Sequence, residues 1–205
     1  MNKYITELIG TFFLVLVIGC AVSSGSPLAP LAIGVCLTAM VYMGGHISGA
    51  HYNPAVSIAM FIRGEIEKSD LAPYILSQIV GGVLAGICTI VLRGKGIVVS
   101  PGEGVGLGQA LAAEILFTFA LVLVILNVAT SKDHPNNSFY GIAIGFIVCA
   151  GAFSVGDISG AAFNPAVALG HNIIAADFSN VLLYLLGPIV GAVLAAFAYQ
   201  TTNPN

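Results

Sequence analysis

Two triplets, Asn53-Pro54-Ala55 and Asn164-Pro165-Ala166, are the residues of this chain whose types and spacing most plainly imply chemistry. Asn is a favoured helix N-cap, and Pro is favoured at the first helical position, where its missing N–H costs nothing, so each pair starts a helix abruptly. If the two helices meet head to head, their positive dipole ends face one constriction and repel cations, protons included. The side-chain amides of Asn53 and Asn164 can each donate hydrogen bonds into that constriction, orienting a passing water so that its neighbours cannot relay a proton. A lone Asn-Pro-Ala is an ordinary capped helix. Two copies in register are a different matter.

The elements that must position these triplets are apolar. The 205 residues are 58% hydrophobic and 7% charged, against roughly 25% charged in a soluble domain. Between Glu7 and Arg63 lie 55 residues without an Asp, Glu, Lys or Arg. A spanning helix needs about 20 mostly apolar residues. Hydropathy and breakers predict spans near 4–23, 29–46, 73–93, 108–129, 139–156 and 179–199. Two shorter apolar stretches, 53–62 and 164–174, begin at the Asn-Pro pairs and are too short to cross. Residues 4–20 could pass for a signal peptide, but Glu7 and the continuing apolar pattern favour a retained first membrane helix.

The two halves repeat one another. Gly45 to Val56 matches Gly156 to Val167 at nine of twelve positions, a register of 111. Glu7-Leu-Ile-Gly-Thr-Phe12 aligns with Glu114-Ile-Leu-Phe-Thr-Phe119, and Ile79 to Ala85 with Ile189 to Ala195. Each half holds three spans and one half-helix. Because three is odd, the second copy enters the membrane from the opposite side, as an inverted repeat. The expected fold is an all-α membrane protein with six transmembrane helices and two re-entrant half-helices. It forms a single channel domain over 1–205, with internal repeats 1–96 and 106–201. Both termini fall on one face. Lys3, Arg63, Lys68 and Lys132 against Arg93 and Lys95 make that face cytoplasmic. The segments Gly45 to Tyr52 and Gly156 to Phe163 are expected to be non-helical at membrane depth, their carbonyls forming an acceptor track along a polar cavity.

Paired triplets with these flanks, inside a six-span inverted repeat, resemble the aquaporin and aquaglyceroporin (major intrinsic protein) family over essentially the whole chain. The resemblance implies one pore per subunit in a homotetramer within the lipid bilayer. It implies a passive channel in the cell (inner) membrane for water and small neutral solutes. In such folds the carboxylates at Glu7 and Glu114 accept hydrogen bonds from the re-entrant loops. His51 and His46 flank the first motif, on the approach from the terminus face. For His51 the reading is a pore-lining or loop-bracing role, and for His46 a vestibule position with loop bracing. Asp157 takes the second-repeat position of His46.

Family members commonly carry an Arg directly after the second triplet, and here that position is Val167. The other filter positions align with Ile33, Ala152 and Ala161, where strict water channels often have Phe, His and a small residue. Losing a guanidinium and an imidazole removes donors and bulk together, so the filter should be wider and less polar. Val here is similar to the plant tonoplast intrinsic proteins, associated with water, ammonia and urea. Ala168, where glycerol facilitators usually carry Asp, points away from glycerol, as do short loops at 94–107 and 168–178. Tyr184 keeps the aromatic of water channels, while Leu185 replaces their usual Trp. The reading is a water channel with relaxed selectivity toward ammonia, urea and hydrogen peroxide. Its alternative is a facilitator mainly for glycerol or urea.

The remaining features are quieter. A scattered net charge of −3 offers no basic run for nucleic acid. Cys20, Cys36, Cys88 and Cys149 fall in apolar segments as buried thiols, with neither CxxC nor His at metal-ligand spacing, and no cofactor is expected. His134 and His171 are expected to be solvated. No nucleophile and base stand at catalytic spacing and no nucleotide motif is present, so no enzyme is read here.

Overall fold

Residues 1–203 are described in the structure, a computed structural model; residues 204 and 205, the end of the expected domain, lie outside the described residues. The elements run α1 (Asn2–Ser23), α2 (Ala29–Ser48), α3 (Pro54–Arg63), α4 (Lys68–Arg93), α5 (Leu107–Ala129), α6 (Tyr140–Ser159), α7 (Pro165–Ala175) and α8 (Val181–Thr202). Six of them, all but α3 and α7, are long and apolar enough to cross a membrane. The short pair start at the Asn-Pro bonds, with Asn53 and Asn164 as extended N-caps and Pro54 and Pro165 in the first turn.

Two boundaries differ from expectation in a way that matters. Gly45 to Ser48 and Gly156 to Ser159 are helical, not extended, because α2 and α6 continue until Gly49 and Gly160 take left-handed conformations at φ 84° and 79°. Only Gly49–Tyr52 and Gly160–Phe163 are non-helical at depth. The stretch 168–178, expected as a loop, is mostly the body of α7. There the helix begun at Asn-Pro carries on through Gly170 and ends only where Ala176 turns left-handed.

α1 packs on α4, α5 on α8, and α2 on α6, while α3 lies against α8 and α7 against α4. An ion pair of 2.6 Å from Lys3 Nζ to Asp70 Oδ2 joins the starts of α1 and α4, and the Arg63 guanidinium sits 5.2 Å over the Tyr199 ring. These contacts mark the face that carries the termini. The α4–α5 connector, residues 94–106, lies on the opposite face. Outward side chains such as Leu76, Leu116 and Leu182 are exposed and apolar, as a hydrocarbon surrounding requires.

Where helix faces are equally apolar, association depends on close approach of small residues rather than on hydrophobic burial. At the α4–α7 crossing a Cβ on Gly170 would stand 2.6 Å from the carbonyl carbon of Gly82, which is backbone and cannot yield. Gly170→Val is therefore expected to cost about 3 kcal/mol or more. A lowered thermal unfolding midpoint in detergent would register it; an unchanged midpoint would mean that α7 can lift off α4.

Candidate functional site

The site grows from two short loops held in a costly backbone conformation. Ala50, Tyr52, Ala161 and Phe163 all have φ between 49° and 53°, a left-handed region that costs non-glycine residues roughly 1–2 kcal/mol each. Buried carboxylates offset that cost. Glu7 Oε1 accepts from Ser48 Oγ at 2.7 Å and the His51 N–H at 2.9 Å. Its Oε2 accepts from the Tyr52 N–H at 2.7 Å and Gln78 Nε2 at 2.8 Å. In the second half Glu114 accepts from Ser159 Oγ and the N–H groups of Ala162 and Phe163, at 2.7, 3.0 and 2.7 Å. Tyr74 and Tyr184 each donate a phenolic hydrogen bond to the carbonyl of the helix-ending serine, Ser48 at 2.8 Å and Ser159 at 2.6 Å.

Each loop delivers an asparagine to the centre. Asn53 Oδ1 accepts from the Ala55 N–H and Asn164 Oδ1 from the Ala166 N–H, both at 2.9 Å, as N-caps do. Their amide nitrogens reach across to the other half: Asn53 Nδ2 donates to the Phe163 carbonyl at 2.8 Å, and Asn164 Nδ2 to the Tyr52 carbonyl at 2.9 Å. An amide nitrogen has two hydrogens, and each Asn uses one of them in this cross-bond. The carbonyls of Tyr52 and Phe163, expected in the acceptor track, are thereby engaged by protein.

Both asparagines line a cavity of about 320 Å³ that opens toward the α4–α5 connector. Ile33, Ala152, Ala161 and Val167 lie on the wall of this one cavity. A second, wider space of about 770 Å³ opens on the terminus face and holds His46, Glu65, Asp70 and Lys132 on its walls. The two share Ala50, His51, Ile125 and Ile144 on their walls, so they adjoin one another beside the paired Asn of the first.

His51 sits at that junction, 5% exposed, with Nδ1 3.0 Å from Ser57 Oγ and its ring 5.0 Å from that of Tyr74. Ser57 in turn accepts from Gln78 Nε2 at 2.9 Å, which links His51 to the bracing of Glu7. His46 is exposed on the wall of this wider space and its side chain makes no hydrogen bond among the described residues, so the bracing expected of it is absent. Asp157 is likewise exposed, at the other mouth. His134 is exposed, but His171 is a correction: it is 2% exposed, with Nε2 3.2 Å from the Val15 carbonyl of α1. Its helix turns it inward against α1, which no local pattern could reveal. Of the four thiols only Cys149 is fully buried; Cys20, Cys36 and Cys88 are partly buried.

Sequence reasoning passed over Ser48, Ser159, Tyr74 and Gln78, and weighed Tyr184 only as an aromatic. The serines and tyrosines repeat at the registers that paired the triplets and the third helices, and that recurrence was the available signal. Gln78 had none, since Pro188 takes its place in the second half.

With the geometry in view, likeness to known proteins is informative. A family model described as "Major intrinsic protein" matches residues 1–199. A protein of Lactiplantibacillus plantarum named glycerol uptake facilitator protein-like 6 is 38% identical over 96% of both chains. A probable aquaporin NIP-type of Nicotiana alata is 37% identical over 98% of this chain and 77% of its own. Aquaporin AqpM of Methanothermobacter thermautotrophicus is 34% identical over 97% and 96%. In fold, the chain superposes on the crystal structure of the aquaglyceroporin from Plasmodium falciparum with a TM-score of 0.85, covering 97% of this chain and 95% of the other at 22% identity.

Proposed function

This chain belongs to the major intrinsic protein family, an integral multi-pass channel for small neutral solutes, and from that premise we propose that it conducts water with relaxed selectivity toward ammonia, urea and hydrogen peroxide while excluding ions and protons. One observation carries the relaxed selectivity. The filter positions Ile33, Ala152, Ala161 and Val167 are all apolar, two of them alanine, around a cavity of about 320 Å³. Without a donor or bulky ring there, neither size nor hydrogen-bond matching rejects a solute somewhat larger than water.

The charge barrier in this reading is central. The N-termini of α3 and α7 bring two positive dipole ends to the paired Asn, and the spare amide hydrogens orient each water there. Glu7 and Glu114 brace the loops, and His51 and His46 stand along the vestibule. Repeats 1–96 and 106–201 act as one domain, both termini face the cytoplasm of the cell (inner) membrane, and subunits assemble as a homotetramer, each with its own pore.

Stopped-flow light scattering on proteoliposomes tests the reading. Water flux should exceed that of empty vesicles by about tenfold or more, with urea and ammonia also passing and no proton leak. Water flux blind to urea, ammonia and glycerol alike would overturn the relaxed filter. The alternative, a facilitator mainly for glycerol or urea, is favoured by the relative named as a glycerol uptake facilitator. It would show as solute flux far above water flux.

A further inference from the structure

The α4–α5 connector crosses the mouth of the filter cavity, and Ile97, Val98, Val99 and Ser100 line it together with Ala161 and Val167. This strap has no regular secondary structure, yet it is tied at two points. The Val99 N–H donates to Asn172 Oδ1 at 2.8 Å, and Asn172 Nδ2 donates back to the Val99 carbonyl at 2.9 Å. The side-chain amide thus imitates a neighbouring strand, exchanging both bonds with one residue. A few residues on, the Gly102 N–H donates to the Ile158 carbonyl at 3.0 Å, at the end of α6. Between these ties the Ser100 carbonyl lies so close to Gly160 that a Cβ there would stand 3.0 Å from it.

The ties join the strap to two of the elements that carry filter positions. Asn172 is on α7 with Val167, and Gly160 precedes Ala161. Packing alone does not hold the strap, because behind it lies a second space of about 220 Å³ that Ile97 and Val98 also line. Nor is Asn172 part of the repeated scaffold: at the same register the first half has Phe61, exposed on α3. Asn172 is 5% exposed, and its amide is spent on Val99. The peptide groups of Val98 and Ser100, on either side, have no partner among the described residues.

From this juxtaposition we propose that Asn172, by clamping Val99, is the positioning residue that sets the aperture between the strap Ile97–Ser100 and the filter. The strap contributes peptide donors and acceptors that Ile33, Ala152, Ala161 and Val167 lack, and the clamp fixes their distance from Val167. The inference rests on the reading of that cavity as the pore.

Two measurements test it in proteoliposomes of the full chain. Asn172→Ala should raise the ratio of glycerol to water permeability by about threefold or more, since freeing the strap widens the path for the larger solute first. Equal scaling of every solute would mean that Asn172 serves folding only, and would overturn the proposal. Ser100→Cys alters an exposed side chain and leaves the clamp intact. A positively charged methanethiosulfonate bound there should bring urea and glycerol flux to the level of empty vesicles, with the unsubstituted protein and its own four cysteines as control. Unchanged flux after complete labelling would remove the strap from the path. A wild type that passes neither water nor any solute would instead overturn the channel reading beneath it.

Discussion

Val167→Arg should reduce urea and glycerol permeation by about tenfold or more while water falls by only a few-fold, because a constriction discriminates most against the molecule nearest its own size. Val167 is the third residue of α7, 3% exposed, on the wall of the cavity that also holds Ile33, Ala152 and Ala161. A guanidinium there adds length and five N–H donors to a ring that now has none in its side chains. Water is small enough to pass beside those donors and polar enough to use them. Glycerol and urea need the volume that the new side chain would take. The added cation also stands near the positive end of α7, so proton and cation exclusion should tighten. The check is the solute-to-water permeability ratio in reconstituted vesicles. A uniform loss for all solutes would show that Val167 does not border the narrowest part of the path.

The second large effect is expected at the buried carboxylates. Glu7→Gln should lower stability by about 3 kcal/mol and Glu114→Gln by about 2 kcal/mol, read as thermal unfolding in detergent and as folded yield. An amide turns one acceptor oxygen into a donor. At position 7 either oxygen serves two donors, Ser48 with His51 or Tyr52 with Gln78, so substitution leaves up to two of them facing an N–H. At position 114 the gentler arrangement sacrifices only the Phe163 N–H, because Oε2 accepts nothing else. The loops that these bonds hold carry four non-glycine residues at positive φ and would relax once released. The fraction that still folds should keep wild-type solute selectivity and remain tight to protons. Normal folding with altered proton coupling would reverse the assignment, making these groups carriers of charge instead of braces.

Much of this was legible in the residues, for one reason: the chain states its plan twice. The recurrence of Asn-Pro-Ala, of Glu7 as Glu114 and of the glycine-rich third span exposed the inverted repeat before any coordinate, and hydropathy located every spanning helix. Legibility failed where one half departs from the other. Gln78, the fourth donor to Glu7, is matched by Pro188, and Asn172 by Phe61, so no repetition flagged either. It failed too at helix ends. Ile47-Ser48 and Ile158-Ser159 keep helical φ/ψ because the turn is deferred to the glycines that follow. His171 misled because its polar type suggests water, whereas its place on α7 turns it onto the Val15 carbonyl, 156 residues away in sequence.

By itself the sequence determined the elements and their pairing: six apolar spans, two helices begun at Asn-Pro, and an odd number of spans per repeat that forces opposite entry. These are properties of local composition and of period, and they need no partner to be true. Tertiary structure alone decided what those elements do for one another. Asn53 and Asn164 each spend one amide hydrogen on the opposite half, across 110 and 112 residues, and both line one cavity. Four apolar residues from α2, α6, the second loop and α7 come to one cavity wall, and a strap from a fifth segment closes over it. Such meetings depend on where helices cross, which side-chain packing settles only after the spans have formed.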